Sequence, residues 1–111
     1  MQWYVIGTQF AVHGDSPEEF EHRIDALMAV LLDLERGDEQ IMDPDLSADV
    51  VARTLGVELT VQAESLVAAV IKQLTVVRAA IHQTGGGTPG WEQVIDDVRV
   101  VMTREVDASV A

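Results

Sequence analysis

Gly56-Val57-Glu58-Leu59-Thr60-Val61-Gln62-Ala63 alternates apolar and polar residues without a break. Val57, Leu59, Val61 and Ala63 fall on one side; Glu58, Thr60 and Gln62 fall on the other. Successive side chains of an extended backbone point to opposite faces, so this period of two defines a strand with one buried face. The preceding stretch, Leu46-Ser47-Ala48-Asp49-Val50-Val51-Ala52, alternates less cleanly, with Leu46, Ala48, Val50 and Ala52 on its apolar side. Between them, Arg53-Thr54-Leu55-Gly56 suits a four-residue hairpin loop in which Gly56 supplies a positive φ. Opposing Ala52 to Val57 keeps both apolar sets on one face. The expectation is a β-hairpin from Leu46 to Ala63.

Outward from the hairpin, the same patterns locate the other elements. Trp3 to Val12 reads as a first strand, with Tyr4, Ile6, Thr8, Phe10 and Val12 on one face. Its other face, Trp3, Val5, Gly7, Gln9 and Ala11, is more apolar than a solvated face usually is, which marks a central strand or one that meets a second layer. Ser16-Pro17-Glu18-Glu19 is a helix start, with Ser16 as N-cap, Pro17 in the first turn and Glu19 closing a capping box. Phe20, Ile24, Leu27, Met28, Leu31 and Leu32 then recur at spacings of three and four, and Gly37 is the expected C-terminal cap. Asp38 to Asp45 reads as an acidic connection. Glu64-Ser65 caps a second helix whose stripe is Leu66, Val70, Leu74, Val77 and Ile81, widened by Ala69 and Ala80. Val67 and Ile71 broaden its apolar arc. Thr84-Gly85-Gly86-Gly87-Thr88-Pro89-Gly90 breaks that helix, and Trp91 to Arg104 reads as the last strand.

Strand, helix, strand, strand, helix, strand is the order of two β-α-β halves joined through a hairpin. It implies an α+β, ferredoxin-like βαββαβ fold: a four-stranded antiparallel sheet with two helices on one face. The first strand and the Val57–Ala63 strand are expected at its centre. A length of 111 residues suits one domain, expected over residues 1–106, with a short tail at 107–111.

The segment from Val57-Glu58-Leu59-Thr60-Val61 through Arg78-Ala79-Ala80-Ile81 to Gly87-Thr88-Pro89-Gly90-Trp91 resembles small uncharacterised actinobacterial proteins. Those share a V-E-L-T-V strand, an Ala-rich helix and a G-x-T-P-G-W turn. The resemblance spans about the middle third of the chain. It implies a cytosolic single domain and brings no catalytic residue or cofactor.

Seven basic residues against nineteen acidic ones give a net charge of −12. That sign repels phosphate backbones and anionic lipid, which argues against direct nucleic-acid or membrane-surface binding. It leaves solubility or a basic protein partner as its meaning. The absence of cysteine excludes disulfides and thiolate metal sites, and fits a cytoplasmic location. No apolar run approaches the roughly 20 residues of a membrane span.

No motif commits the chain to a reaction. The Gly-rich loop lacks a lysine and follows a helix instead of opening one, so it presents carbonyl ends rather than amides to an anion. Thr88, Pro89 and Trp91 are the candidate lining of a small apolar ligand pocket beside it. His13, His22 and His82 form no helical metal pair. Asp43 and Asp45 have a hard-cation spacing but lack the glycine and bidentate glutamate of a calcium loop. No catalytic set, metal site or cofactor is therefore assigned.

Two helices on one face leave the other face of the sheet open. Trp3, Val5, Ala11, Val51 and Val101 are expected there as an apolar interface patch, joining two copies back to back or edge to edge. The reading is a non-catalytic interaction or small-ligand-binding module, homodimeric and cytoplasmic. Two alternatives stay open: a small dimeric enzyme using a sheet-face cavity and His13, and an acidic decoy for a basic protein.

Overall fold

Residues 1–12, 16–84 and 95–106 are described by the computed structural model, with the backbone alone at 95–99, 101 and 102. The chain forms β1 (Gln2–Val12), α1 (Pro17–Gly37), β2 (Ile41–Asp49), β3 (Thr54–Ala63), α2 (Leu66–Thr84) and β4 (Ile95–Glu105). The sheet order is β2-β3-β1-β4, with every neighbouring pair antiparallel. This is the ferredoxin-like α+β arrangement, with β1 and β3 at the centre as the alternation implied.

Local chemistry fixes the helix starts. Ser16 stands extended before α1, and its hydroxyl oxygen accepts the Glu19 amide at 3.2 Å. The same hydroxyl donates to the Glu19 carboxylate at 3.1 Å, so the capping pair closes side chain to side chain. Ser65 caps α2 in the same way, accepting the Ala68 amide at 3.2 Å. The end of α1 departs from expectation. Gly37 is its last helical residue, and extended Asp38 follows. The Asp38 carboxylate accepts the Gln40 amide at 2.9 Å, which turns the chain into β2 without a left-handed glycine cap.

The hairpin forms with a different register from the one expected. β2 begins at Ile41, inside the stretch taken as a connection, and ends at Asp49. Leu46 faces Val57, Ala48 faces Leu55, and Asp49 faces Thr54. Val50 to Arg53 make the turn, so Ala52 does not oppose Val57. Asp49 decides this: its carboxylate accepts the Val51 and Ala52 amides at 3.0 and 2.9 Å, folding an Asx turn that ends the strand. The positive φ falls on Arg53, at 58°, and not on Gly56. Gly56 lies within β3 for another reason: a Cβ there would stand 2.5 Å from the Ser47 hydroxyl oxygen across the ladder.

The acidic stretch pairs because a bulge absorbs its proline. Met42 faces Thr60 and Asp45 faces Glu58, so β2 holds one extra residue between them. Asp43 takes a φ of 54° there, and its amide donates to the Glu35 carboxylate of α1 at 2.7 Å. Pro44, which has no amide to give the ladder, is buried at the same place.

The core lies between the helices and one face of the sheet. Ile6, Phe10, Leu55, Leu59 and Val61 from β1 and β3 meet Phe20, Leu27 and Leu31 from α1 and Val77, Ala80 and Ile81 from α2. The buried line of α2 keeps Ala69, Val77, Ala80 and Ile81 of the expected stripe and adds Gln73 and Val76, while Val70 and Leu74 are half-buried and Leu66 is exposed. Gln73 is therefore inside. Its side-chain NH2 donates to the Thr8 hydroxyl at 3.0 Å and to the Val57 carbonyl at 3.2 Å, and its carbonyl oxygen has no partner.

Candidate functional site

Three expected site residues, Thr88, Pro89 and Trp91, lie outside the described residues, as does His13. The site that can be built is the sheet face turned away from the helices.

The ladder orders this outer face in rows. Gln62 lies beside Trp3, and the next row is Met42, Thr60, Val5 and Arg104. Asp45, Glu58, Gly7 and Met102 follow, then Ser47, Gly56, Gln9 and Arg99, then Asp49, Thr54, Ala11 and Asp96. Along both central strands, Glu58 is the single charged residue on this face. In a chain of net charge −12, that is a neutral strip between charged edges.

Three of the five residues expected on the outer face lie on it. Trp3, Val5 and Ala11 do lie on the outer face, in β1. Val5 is only 4% exposed, held in its row between Thr60 and Arg104. Trp3 and Ala11 are half-buried. Val51 is not on this face: the turn that Asp49 builds carries it to the hairpin tip, 96% exposed. Val101 interrupts the register, because Gly7 faces Met102 and Thr8 faces Val100, leaving Val101 as the extra residue of a β4 bulge. A strict alternation from Val98 to Thr103 does not hold through such a bulge.

Three of the six exposed large apolar residues among those described sit elsewhere, on α2. Val67 is 69% exposed and Ile71 is 59% exposed, with Leu66 exposed beside them. The sequence had Val67 and Ile71 broadening a buried arc; the structure leaves them in the open because α2 packs on β3, β1 and α1 and barely reaches β4. The helix side of β4 is accordingly uncovered among the described residues. Val100 and Thr103, which pair with the core residues Thr8 and Ile6, are both exposed.

On its other flank α2 is tied to the end of α1. Lys72 donates to the Asp38 carboxylate at 2.7 Å. That hydrogen bond, helped by the Gln40 amide, holds the Asp38 carboxyl below the usual carboxylate range. Asp43 and Asp45 are exposed on β2, and no group of three or more metal-ligating side chains forms among the described residues. No described helix is long and apolar enough to cross a membrane.

No protein-family model matches the chain, and no curated protein matches it. Solved structures do resemble it. Protein SO0527 from Shewanella oneidensis is 16% identical with a TM-score of 0.55, over 95% of this chain and 91% of that one. A dimeric ferredoxin-like protein from an uncultured marine organism is 8% identical with a TM-score of 0.56, over 97% of this chain and 90% of that one. At such identities the likeness is one of fold, and the fold shared is ferredoxin-like.

Proposed function

We propose that the chain is a non-catalytic ferredoxin-like interaction module that works as a homodimer, its copies meeting through the outer sheet face. The observation that carries this is the neutral strip over β1 and β3, interrupted only by Glu58. A sheet face left to water in so acidic a chain is expected to share its charge. The marine protein of the same fold is described as dimeric, which supports the reading. A small ligand held between the two layers belongs to the same proposal, as do a cytoplasmic setting and kinship with the small actinobacterial proteins.

Gln9→Glu and Gln62→Glu test it. Both positions are half-buried on the strip, so a new carboxylate is tolerated by the monomer but meets its own copy across a two-fold axis. Light scattering is expected to show a fall in particle mass with an unchanged circular dichroism spectrum. An unchanged mass in both variants overturns the outer-face contact.

A further inference from the structure

We propose that α2 carries a second self-association surface, on which two copies of the chain pack their α2 helices antiparallel about a two-fold axis at Ile71. It goes beyond the outer-face reading, because it uses the opposite side of the sheet and stands or falls separately.

The surface is a stripe on a helix flank. Val67, Ile71 and half-buried Leu74 recur at spacings of four and three. Thr75, beside them, donates its hydroxyl to the Ile71 carbonyl at 2.7 Å, which turns its polar atom back onto the helix. Below the stripe, Val100 and Thr103 on the helix side of β4 are exposed.

Charge selects the occupant. From Leu66 to Thr84 there is no carboxylate, although the whole chain is at −12. Two such acidic chains meet with least repulsion along this helix. The pairing is also self-complementary. Glu64 and Arg78 are both exposed and stand seven residues before and after Ile71, Glu64 just ahead of the helix start and Arg78 within the helix. An antiparallel pair centred on Ile71 brings Arg78 of each copy to Glu64 of the other, and sets Val67 against Leu74 and Thr75. The α1 helix of another copy would not serve. Its large apolar residues Phe20, Leu27 and Leu31 are buried in its own core, and its exposed residues include five carboxylates, Glu18, Glu19, Glu21, Asp25 and Asp33, which are poor partners for an apolar stripe.

Because the chain has no cysteine, Ile71→Cys creates a unique labelling point on the two-fold axis. With a short bis-maleimide, this variant is expected to yield covalent dimers several-fold more readily than Val51→Cys at the remote hairpin tip. Equal yields from the two variants overturn the proposal. Placing Arg78→Glu in the Ile71→Cys chain is expected to suppress cross-linking, and adding Glu64→Arg to restore it, since the exchanged pair is re-formed in both copies. Failure of the double exchange to restore cross-linking also overturns it. Gln62→Glu is expected to leave this cross-linking intact, so failure of the outer-face reading registers in particle mass and not here.

Discussion

Among the described residues no element covers the outer face of the sheet or the flank of α2, yet the two present different surfaces. On the sheet, side chains of adjacent strands stand about 5 Å apart and shield one another. Val5, between Thr60 and Arg104, is almost closed to solvent there. On the helix, residues opposite the core diverge from their neighbours, and Val67 and Ile71 stand clear. An apolar residue off the core therefore behaves differently on each element: the sheet yields a neutral platform, the helix a set of knobs.

The largest expected effect sharpens the contrast between the two faces of the sheet. Leu59, fully buried under the helices, is expected to cost about 2–5 kcal/mol as Leu59→Ala in urea denaturation. Its chain neighbour Glu58, exposed on the outer face, is expected to cost less than about 1 kcal/mol as Glu58→Ala. Equal costs would break the assignment of inner and outer faces.

Next comes the inner side of α2, opposite its exposed stripe. Gln73→Ala strips the Thr8 hydroxyl and the Val57 carbonyl of a donor, at an expected cost of about 2 kcal/mol. Gln73→Leu combined with Thr8→Val is expected to recover part of it, since the Thr8 hydroxyl is then gone and only the Val57 carbonyl has lost a side-chain donor. If the pair is as unstable as Gln73→Ala, the buried amide is not held as described.

A smaller effect tests how tightly the outer face is closed. Gly56→Ala sets a methyl against the Ser47 hydroxyl and is expected to cost about 1 kcal/mol. In a Ser47→Ala background the cost is expected to vanish, because the atom in the way is gone. A cost that persists would place the obstruction in the backbone.

The smallest effect concerns the flank of α2 that is tied down. The folded state lowers the Asp38 carboxyl below its ordinary 3.8, chiefly through Lys72. A lowered folded value contributes stability above the unfolded pKa, and that contribution is lost as pH falls through the folded value. Asp38→Asn is expected to cost less than about 1 kcal/mol at neutral pH, since a third of the carboxylate side chain is exposed, and to match the wild type in strong acid. A cost that is independent of pH would mean that packing, not charge, holds this joint.

Element order and topology were legible because period and caps are local signals. Ser16 with Glu19, Ser65, and the alternation from Val57 to Ala63 each act within a few residues. The hairpin register was not legible in the same way. Gly56 is a good turn residue in isolation, but Asp49 captures the turn earlier and Arg53 accepts the left-handed φ. β2 was hidden because Asp43 and Pro44 look like a connection until a bulge and the Glu35 carboxylate accommodate them. Gln73 gave no apolar signal, since its burial depends on acceptors from two distant strands. Of the expected patch, side alternation placed Trp3, Val5 and Ala11 on the right face, but burial among neighbours is a tertiary property that alternation does not encode.

The most direct test is the mass of the wild-type particle by light scattering at micromolar concentration, compared with a chain carrying Gln62→Glu and Ile71→Glu together. With both surfaces engaged, the wild type is expected to contain more than one chain of 12.1 kDa, and the double variant to fall to a folded single chain. A wild type that already runs as a single 12.1 kDa chain contradicts self-association through either surface.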